Sequence, residues 1–131
     1  NVEEACRIYA RAWNLLSPEI LIDALDEDVC YTSQWVWTSI NGKEEFAGYL
    51  RPKMETVRDS PEAKVFAQLA MTQPYPMYPN PPQPCVVVSQ GTPENMMATV
   101  LFTTSATGIS TIDMCCIPPP ETTRLSGEFP A

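Results

Sequence analysis

The chain has 131 residues, 44% of them apolar and 18% charged. That composition fits one globular domain, residues 1–131, and excludes a disordered acidic tail. Eight Lys and Arg against sixteen Asp and Glu leave a net charge of −8, which excludes the basic surface that nucleic-acid binding needs to displace counterions.

Residues 3–16, EEACRIYARAWNLL, place Ala5, Tyr9, Ala12, Trp13 and Leu16 on one stripe of a helix. Glu4, Arg7 and Arg11 fall largely opposite, and two acids occupy the first turn, where the helix dipole favours them. Ser17-Pro18 ends this helix and opens another, because serine suits an N-cap and proline the first helical position. The second helix runs to about Leu25 and gives way to the acidic turn Asp26-Glu27-Asp28. From Val29 to Ile40 the period falls to two and aromatic and β-branched residues dominate: one strand, or two with a bend near Ser33-Gln34. Asn41-Gly42 is a turn signal.

Residues 43–59 read as a helix with Phe46, Tyr49, Leu50, Met54 and Val57 on one face, and Pro52 predicts a kink or a restart. Four strands follow near 63–73, 85–90, 96–105 and 109–117, the last two joined by the tight turn Thr107-Gly108. Between the first pair, Pro74, Pro76, Pro79, Pro81, Pro82 and Pro84 exclude regular structure. That segment is either a stiff surface connector or a rim offering Tyr75, Met77 and Tyr78 to a ligand. In the tail Glu121–Ala131, residues 124–129 leave room for one more short strand. Helices segregated from a run of antiparallel strands define an α+β fold. No apolar run approaches the roughly 18 residues of a membrane-spanning helix. No basic segment leading into an apolar one opens the chain, so no membrane partner and a cytoplasmic location are expected.

The chain contains no histidine, which removes His-based triads and nearly every transition-metal site. Cys6, Cys30, Cys85, Cys115 and Cys116 match no zinc or thioredoxin spacing and read as reduced, mostly buried thiols. Neither metal nor cofactor is expected. Asp113 is the only ionisable acid between Asn95 and Pro120, set in the strand ISTIDMCCIP. Alternation puts Ile109, Thr111, Asp113, Cys115 and Ile117 on one face and Ser110, Ile112, Met114 and Cys116 on the other. A carboxylate on a half-buried face must be paired, hydrogen-bonded or kept neutral. It is either a functional group or an acid at an exposed edge. Tyr9 is either a core residue or a donor into a cavity, and Trp13, Tyr31, Trp35 and Trp37 are core or pocket lining. Both faces of the last strands look apolar, with Ala98, Val100 and Phe102 on one side and Met97 and Leu101 on the other. A bare apolar sheet needs a cover, so a homodimer through the outer face is expected.

Three strings carry a resemblance: Tyr9-x-x-x-Trp13-Asn14 in the first helix, Asp26-Glu27-Asp28-Val29-Cys30-Tyr31 entering a strand, and Ile40-Asn41-Gly42-Lys43-Glu44-Glu45 opening the third helix. With the order of elements, they make the chain similar to the NTF2-like superfamily, in its SnoaL-like and ketosteroid isomerase-like branch. The resemblance covers nearly the whole chain. It implies a curved antiparallel sheet wrapped around helices as a cone-shaped α+β barrel, closing on a pocket and commonly dimeric through its outer face. It places Tyr9 on the isomerases' oxyanion-hole tyrosine and Asp113 on their protonated aspartic acid, a site that is itself a standard example of a carboxylic acid held neutral by apolar surroundings. The position of their catalytic base is Ser33 here, and a serine hydroxyl with no activating group is no base near neutral pH. SnoaL-like cyclases use a strand aspartate as general acid and base, a role that falls to Asp113. The resemblance therefore implies binding of a small hydrophobic molecule bearing an oxygen. Asp113 and Tyr9 would be its acid–base groups, and Trp13, Tyr31, Ser33, Trp35, Thr111 and Cys115 its contacts. The alternative is a non-catalytic binding or dimerisation module.

Overall fold

The first helix, α1 (Val2–Leu15), begins where the side chain of Asn1 accepts the Glu4 backbone N–H at 2.8 Å, and it ends as Leu16 turns left-handed at φ 52°. The computed structural model describes residues 1–131. Helix α2 (Pro18–Ile22) is shorter than the sequence suggests, because the acidic stretch after it is extended and not turned. Asp26, Glu27 and Asp28 lie inside strand β1 (Leu25–Ser33), the last two exposed and Asp26 accepting the Ser105 hydroxyl at 2.7 Å. Strand β2 (Thr38–Asn41) returns against β1 after a four-residue tip, residues 34–37. Helix α3 (Lys43–Arg58) carries Pro52 without interruption. The remaining strands are β3 (Val65–Met71), β4 (Pro84–Gln90), β5 (Met96–Ser105), β6 (Gly108–Cys115) and the short β7 (Arg124–Leu125) in the tail.

The seven strands form one curved, unclosed sheet in the order β2-β1-β6-β5-β4-β3-β7. The α+β architecture is as expected. The sheet is not wholly antiparallel, however, because β1 runs parallel to β6. This pairing joins the beginning of the chain to its end, and strands that far apart in sequence are free of the hairpin constraint that forces antiparallel neighbours. Helix α1 lies across β3, β4 and β5, and α3 packs on β1 and β2. Tyr9, Phe46, Leu50, Met54, Val100 and Ile112 are fully buried between these layers. Each such side chain is worth roughly 1.5–3 kcal/mol relative to exposure. Beyond the reach of β7 on the same edge of β3, the amide of Asn14 donates to the Ala67 carbonyl and accepts the Ala67 N–H, both at 2.8 Å, standing in for a neighbouring strand.

The outer face of the sheet has its own cover. Ala70, Cys85, Val87, Leu101 and Cys115 form a buried apolar cluster there, with Tyr78 of the proline-rich segment packed on it. Thr72 closes that segment at its base by pairing with Gln83 through both backbone and side chain. The second proline-rich stretch adds Pro118, whose carbonyl accepts the buried Thr99 hydroxyl at 2.8 Å. The proline-rich residues are thus a strap over the back of the sheet. The rest of the face, around Thr32, Thr103, Thr111 and Asp113, is polar and hydrogen-bonded. The bare apolar face that called for a second subunit is absent.

Candidate functional site

On the inner face a cavity of about 380 Å³ is left between α1, α3 and the sheet. Tyr9 and Trp13 reach it together because residues four apart share one face of a helix. Tyr31 and Ser33 enter from β1, which continues into the 34–37 tip, and Tyr49 and Lys53 come from α3. Val65 of β3, Val88, Ser89 and Gln90 of β4, Met97 and Ala98 of β5 and Met114 of β6 complete the wall. At the mouth stand Trp35, 51% exposed, and Val36, 67% exposed, with Trp37 beyond them at 90%. Gln34 pins this tip to the end of β6: its N–H donates to the Met114 carbonyl, and its side-chain oxygen accepts the N–H groups of Cys116 and Ile117.

Aromatic rings dominate the wall. Tyr31, Phe46 and Tyr49 stack in a tilted trio with centroids 5.2–5.9 Å apart, and Tyr9 meets Phe102 edge-on at 5.2 Å. Burial pushes the phenols of Tyr9 and Tyr31 well above the ordinary tyrosine range, so both stay neutral. The Trp13 indole nitrogen lies close enough to the Tyr9 oxygen to oppose that shift. Its N–H is nevertheless buried without a hydrogen-bond partner, and no other buried side-chain polar atom of the protein is left so. Ser33 is already engaged, since its hydroxyl oxygen accepts the Trp35 N–H at 3.2 Å. The lining contains no carboxylate, imidazole or thiol, and Lys53 is its one charged residue.

Of the residues singled out in the sequence, Tyr9, Trp13, Tyr31, Ser33 and Trp35 meet in this cavity. Asp113, Thr111 and Cys115 do not: they stand on the opposite face of the sheet. The Asp113 carboxylate accepts the Thr32 hydroxyl at 2.5 Å, and Thr111 shares a hydrogen bond with Thr103. Cys115 belongs to the outer apolar cluster, where burial first and the Asp113 charge second push its thiol up to about 12. A bulge accounts for the reversal. Thr104 pairs with Ile109 but Thr103 with Thr111, so Ser110 is an extra residue in β6. Both Ser110 and Thr111 reach Thr103 on the outer side. Ile109 therefore points into the core, as alternation expects, while every later residue has the opposite parity. Met114 takes the place in the cavity that Asp113 was expected to hold. Tyr49, Lys53, Met97 and Met114 are among the lining residues the sequence does not single out, and of these four only Tyr49 carries a signal, its place on the apolar stripe of α3.

No family model matches the chain, and no curated protein matches its sequence. Solved structures do match in fold. A SnoaL-like protein from Burkholderia thailandensis superposes with a TM-score of 0.59 at 12% identity over 86% of this chain and 90% of its own. A Catenulispora acidiphila protein with a ketosteroid isomerase-like fold, solved with trimethylamine, gives 0.54 at 14% identity over 88% and 86%. A Mycobacterium tuberculosis protein solved in complex with estradiol-17beta-hemisuccinate gives 0.57 at 12% over 92% and 95%. The fold is that of the NTF2-like proteins in their SnoaL-like and ketosteroid isomerase-like form. No helix is long and apolar enough to cross a membrane.

Proposed function

We propose that the inner cavity binds a small, largely apolar molecule carrying an oxygen acceptor, and that the domain acts by binding and not by acid–base catalysis. The orphaned indole N–H of Trp13 carries this reading. A buried donor without a partner costs about 1–3 kcal/mol, and a ligand oxygen reaching it would recover that energy. The surrounding wall supplies apolar contact for the rest of the ligand, with the neutral Tyr9 hydroxyl as a second donor beside Trp13. Isomerase- or cyclase-like proton transfer would require a group titrating near neutral pH within reach of the substrate. The lining offers raised phenols, two serines, a glutamine and the Lys53 amine, and Asp113 lies behind the sheet. The steroid derivative bound by the Mycobacterium tuberculosis protein of the same fold is a molecule of the class proposed here.

The test is a titration with the neutral apolar fluorophore N-phenyl-1-naphthylamine. Its emission is expected to rise and shift to the blue with wild-type protein, and to be lost in Ala98→Met, which fills the wall. Circular dichroism checks that the variant is folded. Absence of enhancement, or enhancement untouched by Ala98→Met, would count against the cavity. The strap over the outer face removes the need for a subunit partner, so light scattering on an eluting peak is expected to give the mass of one chain.

A further inference from the structure

The charge of the cavity mouth narrows the ligand class. Lys53 is the single charged residue on the lining, in a protein of net charge −8. Its ammonium group lies 5.2 Å from the centroid of the Tyr49 ring, one of the aromatic walls. No carboxylate forms an ion pair with it. The protein's two ion pairs are Arg7–Glu128 and Arg51–Glu19, and the positions three and four residues from Lys53 on α3 are Leu50, Thr56, Tyr49 and Val57. Long-range repulsion from the acidic surface is screened beyond roughly 8 Å at physiological salt, and the lysine is the only charge on the lining itself. Resting on the cavity reading above, we infer that the ligand is an amphiphile with an anionic group at its outer end. Its acceptor oxygen meets Trp13 and Tyr9 inside, its apolar body lies along Tyr31, Tyr49 and Met114, and its anion sits beside Lys53.

Two probes that differ only in a sulfonate separate this inference from its premise. N-phenyl-1-naphthylamine is neutral, and 1-anilinonaphthalene-8-sulfonate is its anionic counterpart. Wild-type protein is expected to bind both in mutual competition. Lys53→Gln is expected to weaken the sulfonate by about fivefold more than it weakens the neutral probe, the upper range for a partly exposed ion pair. Lys53→Glu should weaken the sulfonate further, and Arg51→Gln, whose partner Glu19 lies away from the cavity, should change neither. Raising salt should weaken only the sulfonate. An unchanged affinity ratio in Lys53→Gln, or an equal loss for both probes, would overturn the inference and leave the cavity standing. Failure of both probes to bind wild-type protein would remove the cavity reading and the inference with it.

Discussion

Replacing Trp13 by Phe isolates the one polar group that the fold leaves unanswered. The indole N–H is buried without a hydrogen-bond partner in the folded chain. A ligand carbonyl that reaches this donor gains about 1–3 kcal/mol over the same skeleton without the oxygen, since it removes an existing penalty as well as forming a bond. Each 1.4 kcal/mol is about tenfold in affinity. 1-Tetralone and tetralin form a suitable pair, differing by one carbonyl on a skeleton small enough for a cavity of about 380 Å³. Titration calorimetry on wild type and Trp13→Phe gives four dissociation constants, and their double ratio cancels desolvation of the ketone and the altered packing. The tetralone preference is expected to fall about fivefold or more in the variant. An indole N–H proton resonance that moves downfield with tetralone and not with tetralin would report the same bond. The smaller phenyl ring leaves a void, at about 24 cal/mol per Å³, but loss of the orphaned donor offsets part of it, so the variant remains folded. A tetralone-to-tetralin ratio equal in the two proteins would refute the reasoning, because Trp13 would then contribute surface alone.

Asp113→Asn should leave probe binding unchanged. It should alter urea stability by no more than about 1.5 kcal/mol, because the Thr32–Asp113 bond lies on the far side of the sheet and survives in weakened form; a large loss of binding would put the carboxylate back in the site. Burial pushes the thiols of Cys6, Cys85 and Cys115 from 9.0 up to about 12, so the folded state holds protons that the unfolded chain releases above pH 9. Stability is then fully present below pH 9 and is lost above it by up to about 1.4 kcal/mol per pH unit per thiol, and a urea midpoint flat from pH 8 to 10 would contradict this. Gly108→Ala should cost several kcal/mol in the same assay, since at φ +143° its new Cβ would stand 2.6 Å from the Ala24 carbonyl oxygen; a change under about 1 kcal/mol would contradict this crowding.

The elements were legible because each rests on a local signal. Tyr9 and Trp13 at helical spacing, the period-two run through Tyr31 and Ser33, and the proline crowding after Met71 each dictate conformation within a few residues. The face of a strand is not local in this way. Counting alternately from Ile109, a core residue by any reading, carries Asp113 inward, and the count fails only because Ser110 bulges out of register with β5. Nothing in the string GISTID marks that bulge, which follows a long-range contact: Gly108 lies against the backbone of Ala24 and Asp26, and the Ile109 N–H donates to the Ala24 carbonyl at 2.9 Å, tying the start of β6 to the turn before β1. The parallel register of β1 on β6 shifts at the same level, between Leu25 and Cys30, yet β1 keeps its parity, with Leu25, Val29 and Tyr31 all inward; only β6 changes, and Tyr31 lies beside Ile112, inside. One inserted residue thus moves the only carboxylate of the late strands out of the cavity and brings in the thioether of Met114. The same shift that makes this part of the wall apolar leaves the cavity lining without an acid.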